Sequence, residues 1–288
     1  MENKIALCAF ADEADKLIVN QIKALNDNNI HFLEIRGVDG INISDISLSA
    51  AEDLRKQFDD KGIKVWSIGS PIGKCNIDQD FSIELERFKR VLDIASVLGA
   101  ENIRIFSFYG TNGEARFVDE VIARLKSFVA LASEKGITLC HENEKDIFGE
   151  QAENCLILHK AIPELKAVFD PANFVQAHVD PIMAWNMLRS FVKYCHVKDA
   201  DNDGKNVVAG DGIGKIGDIL KNFADQGGGI ATLEPHLVSF VGLNALEKDG
   251  KTDKNVGAIS FENDREAFDV DVKAVRAIMS EYDIEEEL

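Results

Sequence analysis

Short apolar segments alternate with longer amphipathic segments along the chain, and this alternation restricts the fold more than any other feature. Eight of the short segments are apolar through most of their length, as expected of strands buried on both faces of a parallel sheet. A helical stretch or a long loop follows each of them, so the sequence predicts eight consecutive β–α units. The predicted strands are residues 5–10, 32–35, 64–68, 103–106, 138–141, 167–169, 194–196 and 230–233.

Helix boundaries are marked by residues with known preferences at helix ends. Apolar residues recur at helical spacing over residues 82–98 and 116–134. A capping box that begins at Ser49 predicts one helix start, and Asp180 followed by Pro181 predicts another. Three glycines spaced 37 residues apart predict left-handed helix ends just before the next strand, one per β–α unit: Gly62, Gly99 and Gly136.

Eight β–α units fit either a closed (β/α)8 barrel or a large doubly wound sheet. The first strand lacks the glycine-rich fingerprint of dinucleotide-binding folds, because Phe10-Ala-Asp-Glu-Ala follows it. The units are nearly equal and no linker separates them, which favours the barrel. We therefore predict an α/β fold, a single-domain (β/α)8 TIM barrel over residues 1–288. A C-terminal helix at 264–282 closes it, with a frayed acidic end, and residues 235–263 form a long loop that we interpret as a lid or an interface segment.

Charge and cysteine content disfavour several classes of protein. The chain has 32 Lys and Arg against 50 Asp and Glu, a formal net charge of −18, which argues against a protein that neutralises nucleic-acid phosphates. Five cysteines without a CxxC pair predict no disulfide framework and a reducing, cytoplasmic location. No apolar run is long enough to cross a membrane, and the N-terminal apolar segment fits a buried strand better than a signal peptide. A homo-oligomer is compatible with the sequence.

Polar residues follow the predicted strands at the point where each strand ends. In a (β/α)8 barrel these ends meet at one mouth, where active sites are built. Four consecutive strands end near Glu142, Asp170, His196 and Glu234, which are 28, 26 and 38 residues apart. A single acid at a strand end is usually a helix cap or a surface residue, but three acids that meet in a partly dry site repel one another. The pattern therefore predicts a divalent cation bound by these four side chains.

The ligand types narrow the choice of metal. Mixed carboxylate and imidazole ligands suit Mn²⁺, Co²⁺, Zn²⁺ or Fe²⁺, whereas Mg²⁺ prefers oxygen ligands alone. We expect Mn²⁺, Co²⁺ or Zn²⁺ as the cofactor and keep Mg²⁺ and Fe²⁺ as alternatives.

Further polar residues near the strand ends are candidates for substrate contacts. Arg36 and Lys198 are suited to hold hydroxyl, carboxylate or phosphate groups, and salt bridges to Glu34 or Asp199 explain them equally well. His236 fits a substrate contact or a hydrogen-bond donor behind a ligand. The glycines of residues 210–214 lie in the seventh β–α loop, near where barrels often bind phosphate, but such glycines serve any tight loop.

Four short stretches at the ends of the fifth to eighth strands resemble the xylose isomerase-like (β/α)8 superfamily. They read CHENEK, FDPAN, HVKDA and LEPH, and they contain Glu142, Asp170, His196 and Glu234. The sugar phosphate isomerase/epimerase group, with D-tagatose and D-psicose epimerases, hydroxypyruvate isomerase and inosose dehydratase, is the most similar branch. The resemblance extends from Phe10 through the final helix.

The resemblance implies roles for individual residues. It implies that the four residues just named bind the metal and that Glu142 and Glu234 also form the acid/base pair. Asn173 stands where ketose epimerases have a substrate-contacting His, and Lys198 lies near the position of a missing Arg. We therefore expect a substrate contact at Asn173, and the missing His counts against a ketohexose epimerase. Endonuclease IV, another member of the superfamily, needs more histidines at the strand ends than this chain has.

These expectations lead to one main hypothesis and two alternatives. A divalent ion that chelates carbonyl and hydroxyl oxygens stabilises an enediolate, while one carboxylate removes a carbon-bound proton and another returns it. We therefore predict an enzyme, a metal-dependent isomerase or epimerase acting on a keto sugar or sugar derivative. The alternatives are an inosose dehydratase-type lyase that uses the same metal site and a non-catalytic sugar-binding barrel. The expected partner is a small carbohydrate, with neither nucleic acid nor membrane.

Overall fold

Eight parallel strands form a closed barrel in the computed structural model, which describes residues 4–238 and 261–287. Each strand pairs with the next one along the chain, and the eighth pairs with the first, so the predicted (β/α)8 TIM barrel is confirmed. The barrel strands are β1 (Lys4–Ala9), β2 (Phe32–Ile35), β3 (Lys64–Gly69), β4 (Asn102–Ile105), β5 (Thr138–Glu142), β6 (Lys166–Phe169), β7 (Val192–Val197) and β8 (Gly229–Leu233).

The strands form where both faces of the chain are buried. Ile5, Cys8 and Ile103 have no exposed surface, and every residue of β4 is buried. One face fills the barrel and the other packs against helices, which is why the strands are apolar along most of their length. Two short antiparallel hairpins, within residues 37–42 and 199–207, lengthen the loops after β2 and β7 at the barrel mouth.

Helices connect the strands and surround the barrel. The helices predicted at 82–98, 116–134 and 264–282 are present with small shifts at their ends. Within the described residues the α-helices are α1 (Ile18–Asp27), α2 (Leu48–Asp60), α3 (Phe81–Leu98), α4 (Val118–Glu134), α5 (Ala152–Ala161), α6 (Pro171–Gln176), α7 (Pro181–Leu188), α8 (Ile216–Asp225) and α9 (Asp264–Glu281).

The predicted helix ends have mixed outcomes. Asp180 caps α7 as predicted and accepts hydrogen bonds from two backbone amides. The start predicted at Ser49 is wrong, because Ser47 caps α2 and accepts a hydrogen bond from the amide of Ala50 at 3.1 Å. Ser47 has the extended backbone that a cap requires, with φ −79° and ψ 158°. The three predicted glycine caps are left-handed, with φ of 68°, 70° and 69° at Gly62, Gly99 and Gly136.

The acidic C-terminus pairs with the barrel, so the expectation of a frayed end is wrong. Residues Glu285–Glu287 form β9, which runs parallel to the first half of β1. That edge is open because β2 pairs only with Cys8 and Ala9 of β1. Arg276 of α9 also donates two hydrogen bonds to the carboxylate of Glu286, at 2.7 and 2.8 Å. The backbone pairing and this bidentate ion pair hold the acidic tail in place.

Three further expectations concern the chain as a whole. All five cysteines are free thiols, as predicted. In the part of the chain that the structure describes, the helices are too short or too polar to span a membrane. The loop interpreted as a lid or an interface segment, residues 235–263, lies mostly outside the described residues, which stop at 238 and resume at 261. Its role and the single-domain boundaries stay predictions.

Candidate metal-binding site at the barrel mouth

The four side chains predicted as metal ligands come together at the carboxyl ends of four neighbouring strands. Glu142 is the last residue of β5 and His196 lies in β7, while Asp170 and Glu234 directly follow β6 and β8. One ligand atom from each residue lies within 4.8 Å of those of the other three. All four side chains are buried. The common direction of parallel strands therefore gathers residues that are far apart in sequence.

The imidazole of His196 lies at the centre of this cluster. Its Nδ1 atom is 3.3 Å from Oε1 of Glu142, 3.1 Å from Oε2 of Glu234 and 4.0 Å from Oδ2 of Asp170. The ring of Phe10 packs edge-on against it at 5.3 Å between centroids. Burial lowers the pKa of His196, but the surrounding carboxylates, Glu142 foremost, outweigh burial and hold this pKa well above its usual range. The carboxylates therefore attract positive charge to this point.

The donor set fits a divalent cation. Burial raises the pKa of Asp170 to about 7, against the opposing charge of Lys198. Oδ1 of Asp170 accepts a hydrogen bond from the amide of Asn173 at 3.0 Å, but Oδ2 has no hydrogen-bond partner. The Lys198 ammonium lies 2.8 Å from Oδ2 but outside hydrogen-bonding geometry, so this contact is an ion pair only. A buried carboxylate oxygen in this state, beside two glutamates and an imidazole, is suited to coordinate a metal ion.

Buried acidic side chains outnumber the buried Arg and Lys side chains at the mouth. Among the described residues, six buried carboxylates gather there with three buried Arg and Lys side chains. A divalent ion would offset most of this excess, which a dry site tolerates poorly. The carboxylates are Asp12, Glu13, Glu34, Glu142, Asp170 and Glu234, and the cationic side chains are Arg36, Arg104 and Lys198.

A second group of ligand-type side chains, Glu13, Glu234 and His236, is already bound by Arg36. The guanidinium lies 3.1 Å from Oε1 of Glu13, 2.8 Å from Oε1 of Glu234 and 3.4 Å from Nε2 of His236. It also donates two hydrogen bonds of 3.0 Å to Asp12. The arginine therefore supplies the positive charge that a second metal ion would bring, and the first cluster is the better candidate for an ion.

The other residues predicted to contact substrate line the same mouth and are engaged with its acids. Lys198 Nζ lies 3.4 Å from Oε2 of Glu234, in addition to its contact with Asp170. The side-chain amide of Asn173 donates a hydrogen bond to Oε1 of Glu142 at 3.1 Å. His236 is 7% exposed, and burial holds its pKa well below the usual range. Their substrate contacts, and that of Arg36, stay predictions.

The glycine-rich loop after β7 binds a carboxylate of the chain itself. Oδ1 and Oδ2 of Asp199 accept hydrogen bonds from the amides of Gly210, Gly212 and Gly214 at 2.9, 3.1 and 2.8 Å. These amides are therefore not available for a substrate phosphate. The ion pairs of Arg36 and Lys198 that the structure shows are with acids after β1, β6 and β8, whereas Asp199 is turned toward this loop.

Sequence reasoning missed Arg104, which lies inside β4 and is 2% exposed. Its Nη1 atom is 2.9 Å from Oε2 of Glu142 and 3.8 Å from Oε1 of Glu234. The guanidinium also packs over the rings of Phe10 and Phe106, at 5.4 and 4.7 Å from their centroids. A single arginine within an apolar strand was the signal, because charged side chains are almost never fully buried unless they are paired.

Both predicted acid/base glutamates are held in the ionised form. Burial raises the pKa of Glu142, but the charges of His196 and Arg104 outweigh it, and the pKa falls below its usual value. Burial also raises the pKa of Glu234, where Lys198 and His196 more than compensate and hold the pKa well below the usual range. Each carboxylate is therefore in the ionised form that a proton acceptor needs, but its lowered pKa makes it a weaker base.

Comparisons with known proteins agree with this fold. The sequence profile of the xylose isomerase-like TIM barrel family matches residues 22–258. The uncharacterised protein YihM of Escherichia coli (strain K12) is 25% identical over 181 residues, which are 61% of this chain and 50% of YihM. The chain thus aligns with half the length of this curated relative.

Two solved structures illustrate the similarity. The probable 3-DHS dehydratase AsbF, involved in petrobactin synthesis in Bacillus anthracis, has a TM-score of 0.70 at 17% identity, covering 95% of this chain and 98% of AsbF. The IOLI protein, solved with a bound zinc atom, has a TM-score of 0.69 at 15% identity, covering 96% and 99%. At such identities these likenesses support the fold alone. The profile match spans most of the sequence, and the chain therefore belongs to the xylose isomerase-like TIM barrel family.

Proposed function

We propose that the protein is a divalent-metal-dependent isomerase or epimerase acting on a keto sugar or a sugar derivative. The observation that carries this proposal is the arrangement of Glu142 and Glu234 around Nδ1 of His196. Each glutamate turns one oxygen toward the imidazole, at 3.3 and 3.1 Å. An arginine binds the other oxygen of each, Arg104 on Glu142 and Arg36 on Glu234, at 2.9 and 2.8 Å. Two ionised carboxylates beside one candidate ion site suit a reaction that removes and returns a proton.

Glu142, Asp170, His196 and Glu234 would hold the ion, with Mn²⁺, Co²⁺ or Zn²⁺ as the first candidates. When bound, such an ion supplies positive charge that stabilises the negative charge developing on the carbonyl oxygen of the substrate. The IOLI protein, which shares this fold, was solved with a bound zinc atom, and this supports the proposal of a divalent ion here. Mg²⁺ and Fe²⁺ remain alternatives.

The proton transfer falls to the two glutamates. One of them, Glu142 or Glu234, takes the proton from the carbon beside the carbonyl and becomes a carboxylic acid. The other first takes up a proton from water, gives it to the opposite face or to the adjacent carbon, and is ionised again, while the first releases its proton to water before the next turnover. Because their pKa values are lowered, the protonated form of each glutamate is a stronger acid and gives its proton readily to the substrate carbon. Asn173 holds Oε1 of Glu142, and Lys198 lies beside Oε2 of Glu234, where both can also reach hydroxyl groups of a substrate.

A dehydratase-type lyase with the same residues is the second candidate, favoured by the similarity to the probable 3-DHS dehydratase AsbF. It would share proton removal beside a carbonyl and then expel a hydroxyl group from the next carbon. A non-catalytic sugar-binding barrel is a weaker alternative, because it has no need for three acids that repel one another. We infer a small carbohydrate as partner in each case, and we propose the cytoplasm as the location.

Proton NMR in D₂O separates these functions. The protein, loaded with Zn²⁺ or Mg²⁺, is incubated with a panel of keto sugars and inososes. An isomerase or epimerase incorporates solvent deuterium beside the carbonyl and forms an isomer, whereas a lyase loses water. Variants Glu142→Gln and Glu234→Gln should each lower turnover at least about 100-fold, because a carboxylate essential for proton transfer is gone.

The matched control is Glu134→Gln, which makes the same chemical change at an exposed position on α4 and should leave turnover unchanged. Near-normal turnover in either mouth variant would show that the acid/base assignment is wrong. Absence of exchange for the whole panel, with Zn²⁺ and with Mg²⁺, would contradict the catalytic proposal.

A further inference from the structure

Glu34 of β2 faces the side of His196 that is turned away from the candidate ion site. Its Oε2 atom lies 3.2 Å from Nε2 of His196, and both side chains have no exposed surface. Nδ1, on the other side of the ring, faces Glu142, Asp170 and Glu234. Glu34 itself does not belong to the group of four ligand residues. The two ring nitrogens therefore have different neighbours.

The carboxylate of Glu34 is fixed by two further side chains. The hydroxyl of Tyr194, on β7, donates a hydrogen bond to Oε1 at 2.8 Å. The hydroxyl of Ser67, on β3, reaches the same oxygen at 3.3 Å. Donors on the neighbouring strand β3 and on the more distant strand β7 thus leave Oε2 of Glu34 directed at His196. A carboxylate held in this way restricts the orientation of the imidazole ring.

We propose that Glu34 is a positioning residue of the metal site, which holds the proton of His196 on Nε2 and leaves the lone pair of Nδ1 for the ion. This inference rests on the proposed function in one respect, that His196 is a metal ligand. A neutral imidazole carries one N–H, and the hydrogen bond at one nitrogen decides which nitrogen can bind a metal. A carboxylate behind a metal-binding histidine fixes the ring orientation and makes the ligand nitrogen more basic.

The opposite tautomer is disfavoured by the same contacts. It would turn the lone pair of Nε2 toward Oε2 of Glu34, so that two acceptors would face each other at 3.2 Å. It would also direct an N–H at the point where the four ligand atoms converge. Glu34 therefore selects the tautomer that the metal site needs, and it does so without touching the ion.

Zn²⁺ binding measured by calorimetry tests this role without any substrate. Glu34→Gln keeps the size of the side chain but removes the charge, and we expect it to raise the Kd for Zn²⁺ about 10- to 100-fold. The matched control is Glu84→Gln, which neutralises another buried glutamate. Glu84 binds the amide of Gly73 at 2.7 Å, at the start of α3, and should leave the Kd unchanged. Equal Zn²⁺ affinity for the wild type and Glu34→Gln would overturn the inference.

A second measurement uses the wild-type protein, so it does not depend on how the variant folds. Long-range ¹H–¹⁵N NMR of the Zn²⁺-loaded protein should find His196 protonated at Nε2 and bound to the metal through Nδ1. Zn²⁺ coordination through Nε2 would overturn the inference even if Glu34→Gln failed to fold. If the wild-type protein binds no Zn²⁺, both the metal-dependent function and this inference are wrong. If the wild type binds Zn²⁺ tightly and Glu34→Gln binds it with the same Kd, only the inference about Glu34 is wrong.

Discussion

At the scale of single residues, Arg104 links Glu142 and Glu234. Its guanidinium lies 2.9 Å from Glu142 and 3.8 Å from Glu234, on the side away from His196. Removing one partner of a buried ion pair leaves the other charge without compensation, which costs more than the pair itself contributes. The stability of the barrel and the geometry of its mouth therefore depend on the same side chain.

We expect Arg104→Met to lower the free energy of unfolding by about 3 kcal/mol, because Glu142 then remains charged and buried. Adding Glu142→Gln should restore part of this loss, with a coupling of at least about 1 kcal/mol in a double-mutant cycle. The measurement is urea unfolding with EDTA present. Arg116→Met, at a side chain that is 69% exposed, is the control and should change stability by less than about 0.5 kcal/mol. Additive effects of the two mouth substitutions would contradict the assigned pairing.

The candidate ligand residues could be predicted from the sequence, but their hydrogen-bond and ion-pair partners could not. Glu142, Asp170, His196 and Glu234 are recognisable because each stands at a strand end, and strand ends meet in a barrel. The pairing of Arg36 with acids after β1 and β8 depends on barrel closure and on side-chain directions, which no local pattern records. The same is true of Glu34, whose contact with His196 joins residues 162 positions apart.

At the scale of elements, hydrophobic periodicity predicted all eight strands with end shifts of at most two residues. Local signals were less reliable at the start of α2. Ser47 and Ser49 are both suitable cap residues by type, but only Ser47 has the extended backbone of a helix cap. The strand β9 could not be predicted from three glutamates, which are poor strand formers. It forms because β1 offers an open edge and Arg276 compensates the charge.

The closing helix α9 contains a buried acid whose protonation should control stability. Oδ1 of Asp271 accepts a hydrogen bond from the amide of Ala209 at 2.9 Å, and Oδ2 has no partner. Burial raises the pKa of Asp271 from 3.8 to about 7. The folded protein therefore keeps a proton that the unfolded chain releases, and stability falls as the pH rises from about 4 to about 7.

We expect Asp271→Asn to remove this loss. Relative to the wild type, the variant should gain on the order of 2 kcal/mol in free energy of unfolding between pH 5 and pH 8, because Asn cannot ionise. Urea unfolding at the two pH values, with EDTA present, measures this difference. If the stabilities of the variant and the wild type change in parallel with pH, Asp271 does not titrate as proposed.

At the scale of the whole molecule, the number and order of the β–α units determine the fold, and both are visible in the sequence. The net charge of −18 is less informative, because most acids of the described residues are exposed to solvent, on helices and in loops alike. The acids relevant to the proposed site are the six buried carboxylates at the mouth, which lie beside Arg36, Arg104 and Lys198. Oligomeric state and location stay predictions.

The central claim is a single divalent-ion site made by Glu142, Asp170, His196 and Glu234. Anomalous diffraction from crystals of the protein grown with Zn²⁺ tests it most directly. We predict one strong peak at the mouth, about 2.0–2.2 Å from carboxylate oxygens and from Nδ1 of His196. A peak between Glu13 and His236 in place of the Arg36 guanidinium, or strong peaks only elsewhere on the protein, would contradict the account.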